Sequence, residues 1–474
     1  RVAPDAEMAL VAGDLVSYHE ARDLAGAEPA RATFRNISHE LAAGVQGLPT
    51  CLTLGNNDVW PDHIVNTDPN DPSFYAAQAD AIQSICPLSD SARESFTRFG
   101  YYAVNLGERL KLVVINTAPY DIGSLLPYWG IKAHLGADPF SQLAWLNYQL
   151  ANATASKSKV LILGHIPPGI DQFAWPIDGA NRTIASPTSM WHEPFEEKFW
   201  QILTAHARVI GGLMFGHKHT SDYRIWGGSA AASAPPLLTF GAVAPVSHTS
   251  PAFYVLEVDR KTDTLSRVRP YHLNLTSEHP QFEATAILPD DVFAGGISPL
   301  TNENLARRTS KMMDGAALRS SKRSSDQESE RDWSTLFGDY YRGPSEEGGK
   351  ACVHADDSFE DCLTCTGQCR LAFTCQLLHG AQSSEHRRRC GALFVRNALA
   401  ATPRHSALLD TTVAVVIFVA LAAALTTLFY RYSRSTSELL SETYYHHNSF
   451  DPRTNRKKRR QGKLERSETV YLPM

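Results

Sequence analysis

The sequence predicts an α/β domain with a layered sheet core over residues 1–285. Apolar, β-branched runs alternate with helix-like segments in this part of the chain, which is typical of that fold class. The full chain has 474 residues and 43% apolar content, enough for a large core. The predicted strands are 49–54, 110–116, 160–163, 209–215 and 253–258, and the predicted helices are 138–151 and 195–206.

Each assignment rests on a periodicity or a run length. Residues 110–116 (LKLVVIN) and 160–163 (VLIL) are short β-branched runs of the length expected for buried strands. Within 138–151, Leu143, Leu146 and Leu150 recur at helical spacing and predict one buried helix face. These patterns predict strands connected by helices that cover the sheet.

Four apolar runs end in a glycine followed by a residue type that binds metal ions. A strand that ends in this way places a side chain at the carboxyl edge of its sheet, where open α/β sheets bind ligands. Any one of these motifs is a weak signal, but the ordered set predicts a shared site. The motifs are Gly13-Asp14, Gly55-Asn56-Asn57-Asp58, Gly164-His165 and Gly216-His217-Lys218-His219.

The donor types in these motifs fit a pair of metal ions. Phosphoester hydrolysis needs a strong nucleophile, and the negative charge on the phosphoryl oxygens must be neutralised. Two metal ions about 3.5–4 Å apart can do both. Asp14 supplies a bridging carboxylate and Asn56 an amide oxygen. The imidazoles of His165, His217 and His219 suit zinc and iron. The set therefore predicts a two-metal phosphoester hydrolase.

The motifs and their flanks resemble the calcineurin-like metallophosphoesterases, specifically the acid sphingomyelinase-like phosphodiesterase and endopolyphosphatase branch. The similarity covers about residues 1–285. A weaker likeness continues through 333–341 and the later cysteines. The segments that carry it include GNNDVWP at 55–61, DPFSQLAWL at 138–146, HIPPG at 165–169 and FGHKHTSD at 215–222.

The resemblance implies a β-sandwich of two mixed sheets flanked by helices, with a dinuclear zinc site. By motif, Asp14 would bridge the two ions and His219 would bind the second one. The first ion would be completed by Asn56, His165 and His217. The family's Asp-x-His motif, which supplies other ligands of the second ion, does not occur in this sequence. We expect it upstream of Arg1, and we expect the chain as it stands to be weak or inactive.

Asn57 departs from the pattern of most sphingomyelinase-like enzymes, which have histidine there for leaving-group protonation or phosphate contact. The Gly-Asn-Asn-Asp sequence instead resembles the endopolyphosphatases of the same branch. Asparagine is not a general acid near neutral pH, so another group must protonate the leaving group. His19 is the first candidate and His63 the second. For both, a solvated loop histidine is the alternative interpretation.

The cysteines agree with a luminal or extracellular location, where disulfides are expected, whereas in the cytosol zinc binding would be the first interpretation. Six of the eight lie between Cys352 and Cys390, and residues 351–390 are predicted to form a small disulfide module. Their pairing stays open among 15 combinations. Cys51 and Cys86 are predicted to form a separate bridge. Four glycosylation sequons agree with this location, beginning at Asn36, Asn152, Asn181 and Asn274.

The C-terminal part predicts a single membrane anchor. Residues 286–350 are polar and predict a linker, whereas 411–430 are uncharged and long enough to span a bilayer. The tail, 431–474, carries ten Lys and Arg against five Asp and Glu, which predicts a cytoplasmic tail and a luminal or extracellular catalytic domain. Its Tyr471-Leu-Pro-Met end fits a sorting signal for clathrin adaptors, which favours an endosomal–lysosomal or vacuolar membrane.

Charge and motifs narrow the functions. Outside the tail the net charge is −10, which gives no reason to expect a nucleic-acid partner. The leading hypothesis is a membrane-anchored luminal hydrolase that acts on a phosphodiester lipid, such as sphingomyelin, or on polyphosphate or a nucleotide. Asn57 favours the second group of substrates. The alternative is a non-catalytic ectodomain on the same scaffold, a receptor or interaction protein, which the missing Asp-x-His supports.

Overall fold

The computed structural model of the chain describes most of residues 5–309. The described residues are 5–17, 26–45, 47–66, 71–123, 138–170, 189–245, 249–275, 277–285, 288, 299–307 and 309. All of them belong to the first of two compact units, Arg1–Thr402. The predicted cysteine module, the apolar segment 411–430 and the tail with Tyr471 lie outside the described residues, as does His19.

A six-stranded mixed sheet forms the centre of the domain, in the order β3-β4-β5-β6-β8-β7. Strands β4, β5, β6 and β8 run parallel, while β3 and β7 are antiparallel at the two edges. The bounds are β3 Tyr102–Asn105, β4 Leu110–Val114, β5 Lys159–Leu163, β6 Ile210–Phe215, β7 Asp222–Arg224 and β8 Leu237–Thr239.

Two smaller sheets make up the remaining strands. Strands β1 and β2 pair in parallel, and β9, β10 and β11 form an antiparallel sheet in the order β11-β10-β9. The bounds are β1 Ala9–Val11, β2 Thr50–Leu52, β9 Ala252–Asp259, β10 Thr264–Leu273 and β11 Phe282–Ala284. The sequence predicted a sandwich of two mixed sheets. The structure instead has one mixed sheet on one side of the core and two separate small sheets on the other.

The α-helices that pack on these sheets in the described part of the chain fall into two groups. Helices α4 and α5 cover one face of the six-stranded sheet, and α1, α2 and α3 belong to the other core together with the small sheets. The bounds are α1 Ala27–Gly44, α2 Ala76–Gln83, α3 Asp90–Phe99, α4 Gln142–Ser156 and α5 Glu193–Ala205.

The two cores follow from the two-residue period of the strands. Along β4, Leu112 and Val114 face the core shared with the small sheets, while Val113 faces α4 and α5. Strand β5 divides in the same way: Leu161 and Leu163 face the core shared with the small sheets, while Val160 and Ile162 face α4 and α5. Both faces are buried, which is why these strands read as continuous apolar runs in the sequence.

The sequence located the described strands and helices that it assigned to within a few residues. Helix α4 begins at Gln142 rather than at 138, because a short 3-10 turn, Pro139–Ser141, with Phe140 and Ser141 at positive φ precedes it. Its buried face contains Leu143, Leu146 and Leu150 as predicted.

The segment predicted as a linker, 286–350, begins inside the folded domain, so the predicted domain boundary at residue 285 is too early. Leu300 and Leu305 are 1% and 0% exposed and belong to the main core. The Thr309 hydroxyl lies 2.7 Å from the Tyr223 hydroxyl. The domain therefore reaches at least to residue 309, because the few apolar residues of this polar segment are anchors of the core.

The predicted bridge between Cys51 and Cys86 is confirmed. Cys51 lies on β2 and Cys86 just beyond α2, and both are buried. The bridge thus fixes the strand that leads into the Gly55-Asn56 motif. Within the described part of the chain, no helix has both the length and the apolar character that crossing a membrane requires.

Removing this disulfide is expected to destabilise the domain. The bridge closes a loop with a sequence separation of 35, and the entropy of such a loop corresponds to about 4 kcal/mol. The double variant Cys51→Ala, Cys86→Ala should lose that amount in urea denaturation. The parent protein under non-reducing conditions is the control. A loss below about 1 kcal/mol would contradict the expectation.

Candidate metal centre

Asp14 stands in the loop after β1 in a conformation that needs outside support. Gly13 and Asp14 have φ of 87° and 58°, which is unusual for a residue other than glycine. The Asp14 carboxylate accepts two hydrogen bonds from Asn57, from the backbone N–H at 2.9 Å and from the side-chain amide at 3.1 Å. The loops after β1 and β2 are therefore joined at the carboxylate itself.

Asp58 stabilises this backbone conformation of Asp14 through hydrogen bonds. Its fully buried carboxylate accepts backbone N–H groups from Asp14 at 2.8 Å, Leu15 at 2.7 Å, Val16 at 3.1 Å and Gly55 at 2.7 Å. Burial and the nearby charge of Asp14 raise the pKa of the Asp58 carboxyl to about 6. Asp58 thus determines the backbone path of two ligand loops without pointing into the site.

Asn57 also orients Asn56. The Asn56 side-chain amide donates to Asn57 Oδ1 at 3.0 Å, so its own Oδ1 faces the opposite way. That oxygen lies 3.1 Å from His165 Nε2 and 2.9 Å from His217 Nδ1. An asparagine at position 57 therefore holds two ligand candidates at once, Asp14 and Asn56.

His165 follows β5, and its tautomer is set by the backbone. Its Nδ1 lies 2.5 Å from the Ala12 carbonyl oxygen, an acceptor, so Nδ1 carries a proton. The lone pair of the neutral ring is then on Nε2. This atom faces Asp14 Oδ2 at 3.1 Å, Asn56 Oδ1 at 3.1 Å and His217 Nδ1 at 3.3 Å. A histidine whose second nitrogen donates to a carbonyl is the usual arrangement of a metal ligand.

Four candidate metal-ligand atoms therefore converge on one point. They are Asp14 Oδ2, Asn56 Oδ1, His165 Nε2 and His217 Nδ1, and the carboxylate and the two rings present atoms within 4.8 Å of one another. Acceptors brought this close repel each other unless protons or a cation lie between them. Two imidazole nitrogens, a carboxylate and an amide oxygen fit a divalent ion, with zinc chemically suitable.

Three glycines make the close approach of these loops sterically feasible. A Cβ at Gly55 would lie 2.0 Å from Asp14 Oδ1, and one at Gly13 would lie 2.9 Å from His165 Nδ1. A Cβ at Gly216 would lie 3.0 Å from the Ala12 carbonyl oxygen. The glycines of the sequence motifs are therefore required by packing between ligand loops, in addition to any local turn.

The protonation behaviour of the cluster follows from burial and mutual charge. Burial tends to raise the pKa of Asp14, but the adjacent His165 outweighs it and the pKa falls to about 2. Burial tends to lower the pKa of His165, and Asp14 reverses this and raises it. Burial and the charge of His165 hold the pKa of His217 well below its usual range. This keeps the His217 imidazole neutral at physiological pH, the form in which a histidine can bind a metal ion.

The structure brings together Asp14, Asn56, His165 and His217 at the sheet edges, as the sequence predicted for the first ion. His219 lies on the same loop as His217 at φ 56°, but it is outside the group of atoms within 4.8 Å. Its pKa is lowered by burial, and Asp14 acts on it in the opposite direction. Its assignment to a second ion stays a prediction, and His19 lies outside the described residues.

His63 is held beside the centre by Asp121, a residue that the sequence analysis did not identify. Its Nδ1 lies 2.7 Å from Asp121 Oδ2, and its backbone N–H donates to the Asn56 carbonyl oxygen at 2.8 Å. Asp121 is buried in the loop beyond β4, which is a parallel strand neighbouring β5. That position at a carboxyl edge was the signal that could have identified it.

The cluster of candidate ligand atoms suits a divalent metal ion, and the chain is similar to several known phosphodiesterases. Human acid sphingomyelinase-like phosphodiesterase 3b is 30% identical over 241 residues, 48% of each chain. Sphingomyelinase phosphodiesterase C of Dictyostelium discoideum is 27% identical over 192 residues, 40% of this chain and 38% of the relative. Human cyclic GMP-AMP phosphodiesterase SMPDL3A is 24% identical over 266 residues, 53% and 54%.

These homologues confirm the resemblance to the acid sphingomyelinase-like branch of the calcineurin-like metallophosphoesterases. The chain spans about half the length of the curated relatives it matches. No protein-family model matches it. A solved dimetal phosphatase from Danio rerio is 17% identical, with a TM-score of 0.36 and coverage of 56% of this chain and 80% of that one. At that TM-score the similarity says nothing about the site.

Proposed function

We propose that this protein is a metal-dependent phosphoester hydrolase of the phosphodiesterase type. It would bind two divalent metal ions, and zinc is the proposed metal for both. The convergence of Asp14, Asn56, His165 and His217 is the observation that carries the proposal. The homology to phosphodiesterases supports it independently of the geometry.

The described residues divide the work of such a reaction. Asp14, Asn56, His165 and His217 would hold one ion, and Asp14 with His219 would contribute to a second. When bound, the ions supply Lewis acidity that lowers the pKa of water and neutralises phosphoryl oxygens. Asp58 and Asn57 keep the ligands in place through the contacts described above.

His63 is the described candidate for proton donation to the leaving group. Asp121 fixes its Nδ1, which leaves Nε2 as the nitrogen available to a substrate. His63 is 21% exposed at its side chain, whereas Asp121 is 6% exposed. A buried carboxylate that orients a partly exposed imidazole is the arrangement of a general acid or base. His19 stays the alternative candidate.

Asp121→Asn is expected to lower kcat without loss of metal. The substitution keeps the side-chain shape but weakens the charge-assisted hydrogen bond to His63. We expect kcat to fall about tenfold, and about 10²-fold or more in His63→Ala. Turnover of bis-p-nitrophenyl phosphate and zinc content by mass spectrometry are the measurements. His39→Ala, at an exposed histidine that contacts Ser84, is the matched control. Parental kcat in His63→Ala would transfer the role to His19.

Zinc binding is expected to release a proton. Since the pKa of His165 is raised and its Nε2 is a ligand atom, protons compete with zinc as the pH falls through that pKa. Asp14, with a pKa of about 2, does not compete in the same range. Below the pKa of His165, affinity should fall about tenfold per pH unit. Calorimetry in two buffers of different ionisation enthalpy measures the release, with the same titration at pH 8 as control. Equal heats at low pH would contradict it.

The substrate class is proposed from Asn57 and from the relatives. The names of the relatives refer to sphingomyelin and to cyclic GMP-AMP, and these activities belong to those proteins. Because Asn57 serves Asp14 and Asn56, it leaves no acid at that position, which favours polyphosphate or nucleotide substrates over a lipid phosphodiester. The phosphate released from an anhydride is a better leaving group than the alcohol released from a lipid phosphodiester. It therefore depends less on protonation by a general acid.

A substrate comparison tests the proposed function. The panel is long-chain polyphosphate, ATP, cyclic GMP-AMP, sphingomyelin and bis-p-nitrophenyl phosphate, at pH 5 with zinc. The protein carries whatever natural sequence the transcript supplies upstream of Arg1, and its Asp14→Asn, His165→Ala variant is the control. Turnover lost in the variant supports the proposal. Shortened polyphosphate favours an endopolyphosphatase, and released phosphocholine favours a lipid phosphodiesterase.

The proposed location is a membrane of the endosomal, lysosomal or vacuolar system, with the catalytic domain in the lumen. Residues 411–430 support the anchor, and the basic tail and Tyr471 support the orientation and the sorting. The disulfide between Cys51 and Cys86 agrees with an oxidising compartment. Protease protection of a tagged tail in isolated vesicles, compared with a tag at the N-terminus, tests the orientation.

The second candidate is a non-catalytic ectodomain. The sequence observation in its favour is the absence of an Asp-x-His motif from these 474 residues. Bound zinc without turnover of any substrate in the panel would support this candidate.

A further inference from the structure

The loop that carries His217 and His219 is conformationally expensive. It follows β6, and both histidines adopt positive φ, 69° and 56°. For residues with a Cβ, each such position costs about 1–2 kcal/mol, and it persists only where neighbouring groups enforce it. Metal ligands must also be placed within about 0.2 Å. The loop therefore needs anchors outside itself.

One anchor lies on β8, in the same sheet as β6. The Thr239 hydroxyl accepts the Asp222 backbone N–H at 3.0 Å and lies 3.2 Å from the Thr220 carbonyl oxygen. Thr220 and Asp222 are both fully buried. This contact fixes the end of the loop where β7 begins.

The second anchor comes from a different sheet. Tyr254 lies on β9 of the antiparallel sheet, and its hydroxyl accepts the Gly241 backbone N–H at 2.8 Å. The same hydroxyl also forms a hydrogen bond with the Ser221 hydroxyl, whose Oγ lies 2.5 Å away. Ser221 is two residues beyond His219 and is fully buried. One hydroxyl thus joins the loop after β6 to the loop after β8.

The surroundings hold Tyr254 itself in place. Its ring packs against Phe240 with centroids 4.9 Å apart. A Cβ at Gly241 would lie 2.6 Å from the Tyr254 hydroxyl oxygen and 3.5 Å from the His219 carbonyl oxygen. Glycine at 241 therefore lets the hydroxyl reach the backbone directly beside His219.

We propose that Tyr254 is a positioning residue for the metal centre, whose hydroxyl clamps Ser221 and Gly241 and so keeps the loop of His217 and His219 in its left-handed conformation. The link to metal rests on the proposed function, whereas the link to loop conformation does not. His217 Nδ1 lies 2.9 Å from Asn56 Oδ1, and a loosened loop would move this nitrogen away from the other donor atoms.

The test compares Tyr254→Phe with Tyr271→Phe in the full chain. Tyr271 lies opposite Phe253 on the adjacent strand, and among the described residues its hydroxyl makes no hydrogen bond, so it is a matched control. Amide hydrogen exchange of residues 216–222 is measured without metal, and zinc Kd by calorimetry. In Tyr254→Phe we expect exchange at least tenfold faster and Kd about tenfold weaker, with Tyr271→Phe close to the parent.

Each outcome decides the proposal. Exchange and Kd equal in the two variants would overturn it, even if Tyr254→Phe lowered Tm, because that is the result of a purely structural role. If the parent bound no zinc, the proposed function would fail, and the exchange comparison would still decide the clamp. If Tyr254→Phe did not fold, Ser221→Ala replaces it, since it leaves the bond between Gly241 and Tyr254 intact, and the same tenfold criteria apply.

Discussion

Gly55→Ala is expected to destroy the metal centre. The new Cβ would lie 2.0 Å from Asp14 Oδ1 and 2.3 Å from the Asp14 backbone nitrogen, distances that no relaxation of a side-chain tip can relieve. The loops after β1 and β2 must separate, and the Asp14 carboxylate then leaves the convergence point. We expect zinc binding to be lost and stability to fall by about 3 kcal/mol or more.

The control for Gly55→Ala is Gly44→Ala. Gly44 ends helix α1, and a Cβ there meets nothing within 4 Å. Because alanine favours helix by up to about 1 kcal/mol over glycine, this variant should be equal to the parent or more stable. Zinc titration and urea denaturation of both variants are the measurements. Parental zinc affinity in Gly55→Ala would show that the loops after β1 and β2 are not packed as described.

Asp58→Ala is expected to destabilise the domain by about 4 kcal/mol or more. The substitution leaves the backbone N–H groups of Asp14, Leu15, Val16 and Gly55 without their acceptor, and each unsatisfied buried group costs about 1–3 kcal/mol. Metal affinity should fall as well, because the positive φ of Asp14 loses its support. Asp58→Asn retains one acceptor oxygen and should give an intermediate loss.

The control for Asp58 is an exposed aspartate with a similar local role. Asp259 accepts the backbone N–H groups of Lys261 at 2.7 Å and Thr262 at 3.3 Å at the surface, where water replaces a lost acceptor. Asp259→Ala should therefore cost less than about 1 kcal/mol. Denaturant midpoints and zinc titrations of the three variants would check both expectations. Similar losses for Asp58→Ala and Asp259→Ala would refute the proposed role of Asp58.

Sequence reasoning performed best where a local pattern has one physical cause. Strands β5 and β6 are buried on both faces, so their apolar runs were visible without any knowledge of their neighbours. The small outer strands β3, β7 and β11 were not assigned. They are three or four residues long, and their side chains are partly exposed or polar, so only pairing with other strands makes them regular.

For the centre, the chain by itself determined the ligand types and their place at strand ends, because a glycine and a donor residue after an apolar run form a local signal. Asp14, Asn56, His165 and His217 were predicted as ligands in this way, and the structure brings them together. The residues that contact and orient the side chains around the centre could be found only in the tertiary structure. Asp121 meets His63 across 58 positions, and Tyr254 meets Ser221 across 33, so no local periodicity relates them. Their roles come from the closeness of loops on different strands, which depends on the packing of the whole domain.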